Sequence, residues 1–300
     1  MKPAFVQAKP VAAGAALGAL LLGATCIALS PIWVRVSDVG PTASAFWRVA
    51  LAVPLLWALY PLAPRTAPQA PAGEWKLLLA AGLAFAGDLA FWHWSIQFTS
   101  VANSTLLANL ASLFVTLAVW LIWRQKPSGM FLVGLAAALV GVGLLVHTSP
   151  DFSPTGLLGD ALGVITAMFY AWYLLSVKGV RDRGASTLRL MAVTTTVTAL
   201  ILYPVALASG EGLLPRTASG WLILLGLAWI SHSAGQGLIA YALAHLPAAF
   251  SSVGLLFQPV MAAAFAWVLL GEPLAALQVA GGCVVLAGIY LARRGSKAGE

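Results

Sequence analysis

Long apolar runs, interrupted by short polar or Pro/Gly segments, dominate the sequence. A helix needs about 20 predominantly apolar residues to cross the hydrocarbon core of a bilayer, and each run has about that length. The runs predict ten spans, at residues 11–34, 41–62, 75–98, 100–123, 129–148, 156–178, 187–208, 220–243, 248–270 and 275–292. The first run is too long for the apolar region of a signal peptide, so we expect it to remain as a helix. The pattern predicts an all-α membrane protein with ten transmembrane helices.

The composition agrees with a surface covered by lipid. Of the 300 residues 61% are hydrophobic and only 8% are charged, whereas soluble domains carry about 25% charged residues. Ten spans with short loops leave no length for a soluble catalytic domain, so the function must reside between the helices. The sequence contains no phosphate-binding loop, zinc-spaced histidine pair or hydrolase elbow, and we expect no cofactor, metal or catalytic residue. Cys26 and Cys283 lie in distant apolar runs and indicate no disulfide framework.

Lysine and arginine are distributed unevenly between the two ends of the predicted bundle. The alternation of ten spans places thirteen of the 16 at one end and two, Arg35 and Arg216, at the other, while Arg48 lies within a span. Because cytoplasmic loops carry the excess of positive charge, we expect a bacterial inner-membrane protein with both termini in the cytoplasm. This bias accounts for the net charge of +7 without nucleic acid. The expected partners are the lipid bilayer and a small-molecule substrate.

Short matches between the two halves indicate an internal duplication. The segment Gly-Leu-Ala-Phe at 82–85 matches Gly-Leu-Ala-Trp at 226–229, and residues 120–127 resemble residues 267–273. Because each half has an odd number of spans, the second copy must enter the membrane from the opposite face. We therefore predict two inverted five-helix repeats, at residues 1–148 and 149–300.

Polar side chains within spans identify the expected binding layer, because a charge at the bilayer centre costs about 2.5–3.5 kcal/mol and needs compensation. A rise of about 1.5 Å per residue places several such groups near the middle of the roughly 30 Å core. Transporters bind their substrates at this depth. The candidate substrate-binding residues are Asp88, Trp92, Asn109, Met168, Tyr170, Trp229, His232, Gln236 and Gln258. Trp92 and Trp229 would close the cavity.

Asp88 and His232 follow the two matching segments at the same distance, so the duplication makes their positions equivalent. An acid and an imidazole facing one cavity would bind the ammonium and carboxylate of an amino acid, or relay protons. Two structural alternatives remain open. Asp88 would form a charge pair with Arg48, which lies at similar depth in the preceding span, and His232 would hydrogen-bond to a neighbouring helix.

One tyrosine and one proline complete the candidate site. Residues two apart on a helix point about 200° apart, so only one of Tyr170 and Trp172 faces a cavity, and we favour Tyr170. Pro259 is the deepest proline in a span and marks either a hinge or a static kink. The first half has Leu113 at the equivalent position, so we expect the ninth span to bend more than the fourth.

Small residues recur on the fifth and tenth spans, where they allow helices to approach closely. They are Gly134, Ala138, Gly141, Gly281, Gly282 and Gly288. Internal packing of the two spans and a homodimer interface explain this pattern equally well.

Several segments resemble the EamA-type drug/metabolite transporter superfamily, over nearly the whole chain. They are Pro41 with Phe46-Trp47-Arg48, Gly159-Asp160-Ala161-Leu162, Gln258-Pro259-Val260 and Gly271-Glu272-Pro273-Leu274. The first half departs from the family pattern at Leu113 and at residues 124–126. The aromatic-rich candidate site looks most like that of the bacterial aromatic amino-acid exporters. The resemblance implies ten spans in two repeats and export of small metabolites through a central cavity without ATP.

We therefore expect a secondary transporter that exports amino acids by alternating access, with aromatic amino acids as one candidate class. A drug or sugar-derivative transporter of the same fold is the alternative, although a sugar-nucleotide carrier would need more cationic groups in its cavity than Arg48. An intramembrane enzyme acting on lipid would need a nucleophile and a base near one leaflet. Its only candidates are Asp88, Asp160 and His232.

The charge count generates a topology prediction. In Ser186→Cys, the new thiol in the loop after the sixth span should react with an impermeant reagent in inside-out vesicles and remain unmodified in intact cells, because the positive end faces the cytoplasm. Modification in intact cells would contradict the assignment.

Overall fold

In the part of the chain that the structure describes, ten helices are long and apolar enough to cross a membrane, as the sequence predicts. The computed structural model describes residues 13–63, 73–146 and 153–297, and within these ranges it contains no strand. We name the spans α1 to α10 in chain order: Gly14–Val36, Pro41–Leu62, Glu74–Phe98, Asn103–Trp123, Gly129–Val146, Pro154–Asp182, Thr187–Ala208, Ala218–Leu243, Ala248–Leu270 and Ala276–Ser296. The predicted bounds differ from these by a few residues at most.

Side-chain caps mark where several spans begin. The hydroxyl oxygens of Ser100, Ser153, Ser186 and Thr217 each accept a hydrogen bond from the backbone N–H three residues further on, at the starts of α4, α6, α7 and α8. The first N–H groups of a helix have no partner within the helix, so a serine or threonine at this position stabilises the start. The Ser100 cap lies between α3 and α4, whose predicted apolar runs are only one residue apart in the sequence.

Four of the described spans are interrupted near the middle of the bundle. α1 consists of the helices Ala13–Ala28 and Ser30–Val36, α2 breaks at Leu51, α4 breaks at residues 109–110, and α9 breaks at residues 255–256. A fifth span, α8, winds as a π-helix over Leu227–Gln236. The long spans α3 and α6, in contrast, are continuous.

The break in α4 occurs without a proline, which the sequence did not predict. The Asn109 side-chain amide donates to the Thr105 carbonyl oxygen at 2.8 Å, and the Ser112 hydroxyl donates to the Asn109 carbonyl oxygen at 3.0 Å. These side chains occupy carbonyl groups of the helix and favour a local turn. α4 and α9 are therefore both interrupted at equivalent positions, four residues before Leu113 and Pro259 respectively.

Helix pairing follows the expected inverted repeat. α3 packs against α6 and α7, and their counterparts in the other half, α8 against α1 and α2, form the same contacts. α4 packs on α6 as α9 packs on α1. The pairs α2 with α7 and α5 with α10 lie across the axis that relates the two halves.

Glycines on α5 and α10 bring the two backbones into direct contact. A Cβ atom on Gly141 would lie 2.6 Å from the Val285 nitrogen and 2.7 Å from the Gly281 carbonyl oxygen. A Cβ atom on Gly134 would lie 2.7 Å from the Gly288 carbonyl oxygen. Of the two explanations for these small residues, the structure supports internal packing within one chain.

The glycine-mediated backbone contact between α5 and α10 predicts a position-specific effect on stability. Gly141→Leu should lower the melting temperature of the detergent-solubilised protein strongly, because overpacking costs about 1–3 kcal/mol and the neighbouring atoms here are backbone. Gly143→Leu on the same helix is the matched control, since a Cβ atom at Gly143 meets nothing within 4 Å. Equal melting temperatures for the two variants would contradict this close backbone contact between α5 and α10.

Candidate functional site

A cavity of about 160 Å³ lies at the centre of the bundle. Its walls come from α1, α2, α3, α4, α6, α8 and α9, and they include the interrupted segments of α4 and α9. A buried water needs at least about 10–15 Å³, so the volume suits roughly ten waters or one small solute. Interrupted helices at the middle of a membrane bundle are typical of transporter binding sites.

Most of the sequence-predicted residues line this cavity together. Those that do are Arg48, Asp88, Trp92, Asn109, Tyr170, Gln236, Gln258 and Pro259. Tyr170 lies beside both Gln236 and Gln258. The cavity thus gathers groups that are 211 residues apart in the chain, from Arg48 to Pro259. Their role in substrate binding stays a prediction.

Met168 and Trp229 point away from the cavity, which corrects their expected placement. Their side chains are 53% and 47% exposed on the outside of the bundle, and the Trp229 indole N–H donates to the Leu51 carbonyl oxygen at 3.2 Å. Thr166 and Tyr170, two residues to either side of Met168, both line the cavity. Because residues two apart on a helix point in nearly opposite directions, correct depth did not imply the correct face.

His232 lies behind the cavity wall and does not share the cavity with Asp88. Its Nε2 lies 2.9 Å from the Thr195 hydroxyl oxygen on α7, and its ring packs on Phe85 with centroids 5.3 Å apart. This contact corresponds to the alternative in which the histidine bonds to a neighbouring helix. α8 is π-helical at this point, so its residues rotate differently from the equivalent residues of α3. Gln236, the equivalent of Trp92, faces the cavity instead.

Arg48 and Asp88 face the same cavity without forming a direct ion pair. Among the described residues, neither side chain makes a hydrogen bond or an ion pair within 4.0 Å. The Arg48 guanidinium carbon instead lies 5.9 Å from the centre of the Phe85 ring. The predicted charge pair is therefore not a contact pair, and the two opposite charges remain available to a bound molecule.

Sequence reasoning missed several polar residues of the wall. They are Ser30, His93, Thr105, Ser112, Thr166 and Ser252. Hydroxyl groups are inconspicuous within spans because they donate to carbonyl groups of their own helix, as Thr166 does to Leu162 at 3.0 Å. His93 carried a usable signal, since it is an ionisable residue in the same span as Asp88. In the described ranges no cluster of three His, Cys, Asp or Glu side chains is placed to hold a metal ion.

A second, larger cavity of about 1190 Å³ opens at the end of the bundle where lysine and arginine concentrate. We call it the basic vestibule, after Lys126, Lys178, Arg183 and His245 in its wall. Loss of hydration, together with the charges of Arg181 and Lys178, lowers the pKa of His245, so this imidazole is neutral at pH 7.

About one helical turn separates the basic vestibule from the central cavity. On α4, Ser112 lines the central cavity and Thr116 lines the vestibule, and on α9 the corresponding residues are Ser252 and Ala249. The barrier at this end is therefore thin and consists of side chains next to the interrupted segments.

At the opposite end, two carboxylates tie the halves together, and we call Asp38 and Glu211 the carboxylate latch. Asp38 Oδ2 accepts hydrogen bonds from the backbone N–H groups of Arg216 and Thr217, at 3.0 and 3.1 Å, at the start of α8. Glu211 Oε2 accepts from the Ala43 N–H at 2.9 Å, at the start of α2. Each carboxylate thus stabilises the positive end of a helix from the other half.

Glycines make room for both carboxylates of the latch. A Cβ atom at Gly40 would collide with the Glu211 carboxylate, and one at Gly220 would collide with the Asp38 carboxylate. Loss of hydration raises the pKa of Asp38, but the hydrogen bonds from Thr217 and Arg216 outweigh it and lower the pKa below its ordinary value. The Asp38 contacts of the latch are therefore complete at neutral pH and weaken only as the pH falls through that lowered pKa. Arg35 and Glu272 form an ion pair at the same end.

Comparison with known proteins finds one family and several relatives that are named as transporters or exporters. A model of the EamA-like transporter family matches residues 14–147 and 157–294. An uncharacterized transporter of Archaeoglobus fulgidus is 28% identical over 87% of this chain and 90% of its own. A probable amino-acid metabolite efflux pump of Salmonella typhimurium is 27% identical over 72% and 75%. The threonine/homoserine exporter RhtA of the same organism is 27% identical over 70% and 68%.

A solved crystal structure shares the fold. It superposes with a TM-score of 0.76 over 95% of this chain and 98% of its own, at 14% sequence identity. At that identity the likeness concerns the arrangement of the helices alone.

We predict that the carboxylate latch keeps the central cavity closed at the end opposite the basic vestibule. With Cys26 and Cys283 replaced by alanine and Ser30→Cys as a cavity reporter, Asp38→Asn combined with Glu211→Gln should raise labelling by an impermeant thiol reagent severalfold, because two helix caps that join the halves are weakened. The increase should occur in only one membrane orientation, right-side-out or inside-out vesicles. Arg216→Gln is the control, since only the backbone of Arg216 contacts the latch. Unchanged labelling in the double variant would contradict a closing role.

Proposed function

Because the chain belongs to the EamA-like transporter family, we propose that it exports amino acids across the bacterial inner membrane by alternating access. The family and the ten apolar helices make it a multi-pass membrane transporter, and the relatives are named as transporters or efflux pumps. Two of the relatives are named for amino acids or their metabolites. Their names support the substrate class that we propose here.

The observation that carries the proposal is the separation of Arg48 and Asp88 within one cavity. An amino acid is a zwitterion, so its carboxylate matches the guanidinium and its ammonium matches the carboxylate. An arginine fork binds a carboxylate through two parallel hydrogen bonds. A bound zwitterion would therefore compensate both buried charges, and the loaded cavity would carry no uncompensated charge in the membrane.

The wall of the cavity bears on which amino acids fit. Phe85, Trp92 and Tyr170 offer aromatic surface, which keeps aromatic amino acids among the candidate substrates. Arg48 is the one lysine or arginine in the described lining, which disfavours substrates with a diphosphate group. Drugs, and sugar derivatives without a diphosphate group, are not disfavoured in this way, so a transporter of such molecules is the second candidate.

The two ends of the bundle suggest the order of events. We infer from the charge bias that the basic vestibule faces the cytoplasm and the carboxylate latch faces outward. An amino acid would then enter through the vestibule, pass the one-turn barrier and leave when the latch opens. Pro259, at the interrupted segment of α9, would act as a hinge. Two conformational states with identical bends at Pro259 would contradict that part.

Transport in proteoliposomes tests the proposal. Arg48→Gln and Asp88→Asn should each lower amino-acid transport by roughly 10- to 100-fold, because a hydrogen bond to a charged group contributes about 1.5–3 kcal/mol. If both charges bind substrate, the double variant should be at least as impaired as either single variant. Recovery of transport in the double variant would indicate that the two charges only neutralise each other.

Met168→Leu is the matched control for these variants, because Met168 lies on the outside of the bundle at a similar depth. Its transport should equal that of the wild type. If Asp88→Asn transports at the wild-type rate with the wild-type pH dependence, Asp88 is not a substrate-binding residue.

A further inference from the structure

His93 is a buried histidine of α3 in the wall of the central cavity. The proposed binding of an amino acid by Arg48 and Asp88 does not use this histidine. The side chain is 2% exposed, and its Nδ1 lies 2.5 Å from the carbonyl oxygen of Leu89 in the preceding turn. A carbonyl oxygen only accepts hydrogen bonds, so Nδ1 must carry the proton. The contact therefore determines which ring nitrogen is the donor.

The other ring nitrogen is then an acceptor. Burial in the wall of a cavity that also holds the cation Arg48 disfavours a second positive charge, so the imidazole is neutral and its Nε2 carries a lone pair. The two nitrogens of the ring point in different directions, so Nε2 does not face the Leu89 carbonyl oxygen. In the described part of the chain Nε2 has no hydrogen-bond partner. Buried polar atoms without a partner are rare in folded proteins and call for an explanation.

Four buried polar atoms on residues of the cavity wall have no partner among the described residues. His93 Nε2 and Gln236 Oε1 accept hydrogen bonds, Arg48 Nε donates, and the Ser30 hydroxyl can do either. The Asp88 carboxylate in the same wall also accepts. Arg48 is the charged donor. A zwitterion would satisfy Arg48 and Asp88 and would leave the two neutral acceptors unpaired. A ligand that satisfies them must bring at least one further donor.

We propose that His93 is a specificity-determining residue that accepts a hydrogen bond from a side-chain hydroxyl of the substrate. The transporter then favours hydroxylated amino acids over apolar amino acids of the same shape. This inference rests on the proposed amino-acid export and refines it. A site with an acceptor positioned for a hydroxyl discriminates against an analogue without one, because the acceptor is left unpaired.

Threonine and valine form the natural comparison, since they differ by a hydroxyl in place of a methyl group, and homoserine and norvaline form a second pair. In wild-type proteoliposomes we expect kcat/KM for threonine to exceed that for valine by roughly fivefold to tenfold, the effect of one neutral hydrogen bond. In His93→Phe the ratio should fall to about 1 through loss of threonine transport, with valine transport unchanged.

Two further variants distinguish specificity from structural support. His93→Gln places an amide oxygen near the position of Nε2 and should retain part of the preference for threonine. Trp94→Phe, at the neighbouring position of α3 where the side chain is 39% exposed, should leave the ratio unchanged. If His93→Phe does not fold, the melting temperature of the wild type provides the test, since threonine should raise it more than valine does at equal concentration.

The outcomes separate this inference from the function on which it rests. Equal transport of threonine and valine by the wild type, with both dependent on Arg48, would overturn the role of His93 and leave amino-acid export in place. An equal loss of both substrates in His93→Phe would likewise overturn it. Absence of transport for every amino acid would overturn the proposed function itself.

Discussion

The placement of Arg48 and Asp88 in one cavity is the constraint on which the rest of the structure depends. Inside a bilayer only the protein can replace the water that polar groups lose, and a charge is the most demanding of these groups. Among the described residues no ion pair within 4.0 Å joins the two side chains. The bundle keeps a cavity at its centre that holds both charged side chains, and the surrounding helices divide into those that support it and those that form it.

α5 and α10 support the centre, and the interrupted helices form it together with the continuous spans α3 and α6. Glycines let the backbones of α5 and α10 meet directly, and neither helix contributes a described residue to the cavity wall. α4 and α9 break where they reach the cavity, and irregular backbone at this depth is tolerated because it faces a cavity and not lipid. The break in α4 arises from Asn109 and Ser112, and that in α9 lies next to Pro259. Different side chains thus produce the same interruption in the two repeats.

The contacts at the two ends of the bundle differ physically. At one end Asp38 and Glu211 reach across the repeats to cap helices, so these contacts depend on charge and hydrogen-bond geometry. At the basic end a single turn of α4 and α9 separates the cavity from an open vestibule. An opening at either end would break one set of contacts and leave the other intact, which is the physical requirement of the alternating access that we propose.

The sequence by itself determined the number, bounds and inverted order of the spans, because the length and apolarity of each run are local properties. It also placed Asp88, Asn109, Tyr170 and Gln258 at the depth of the cavity. Only the tertiary structure decided which way the side chains point. Met168 and Trp229 face outward and His232 faces Thr195, because packing against neighbours and the π-helical winding of α8 set the rotation of each helix. The latch joins residues that are 168 and 178 positions apart, which no local pattern encodes.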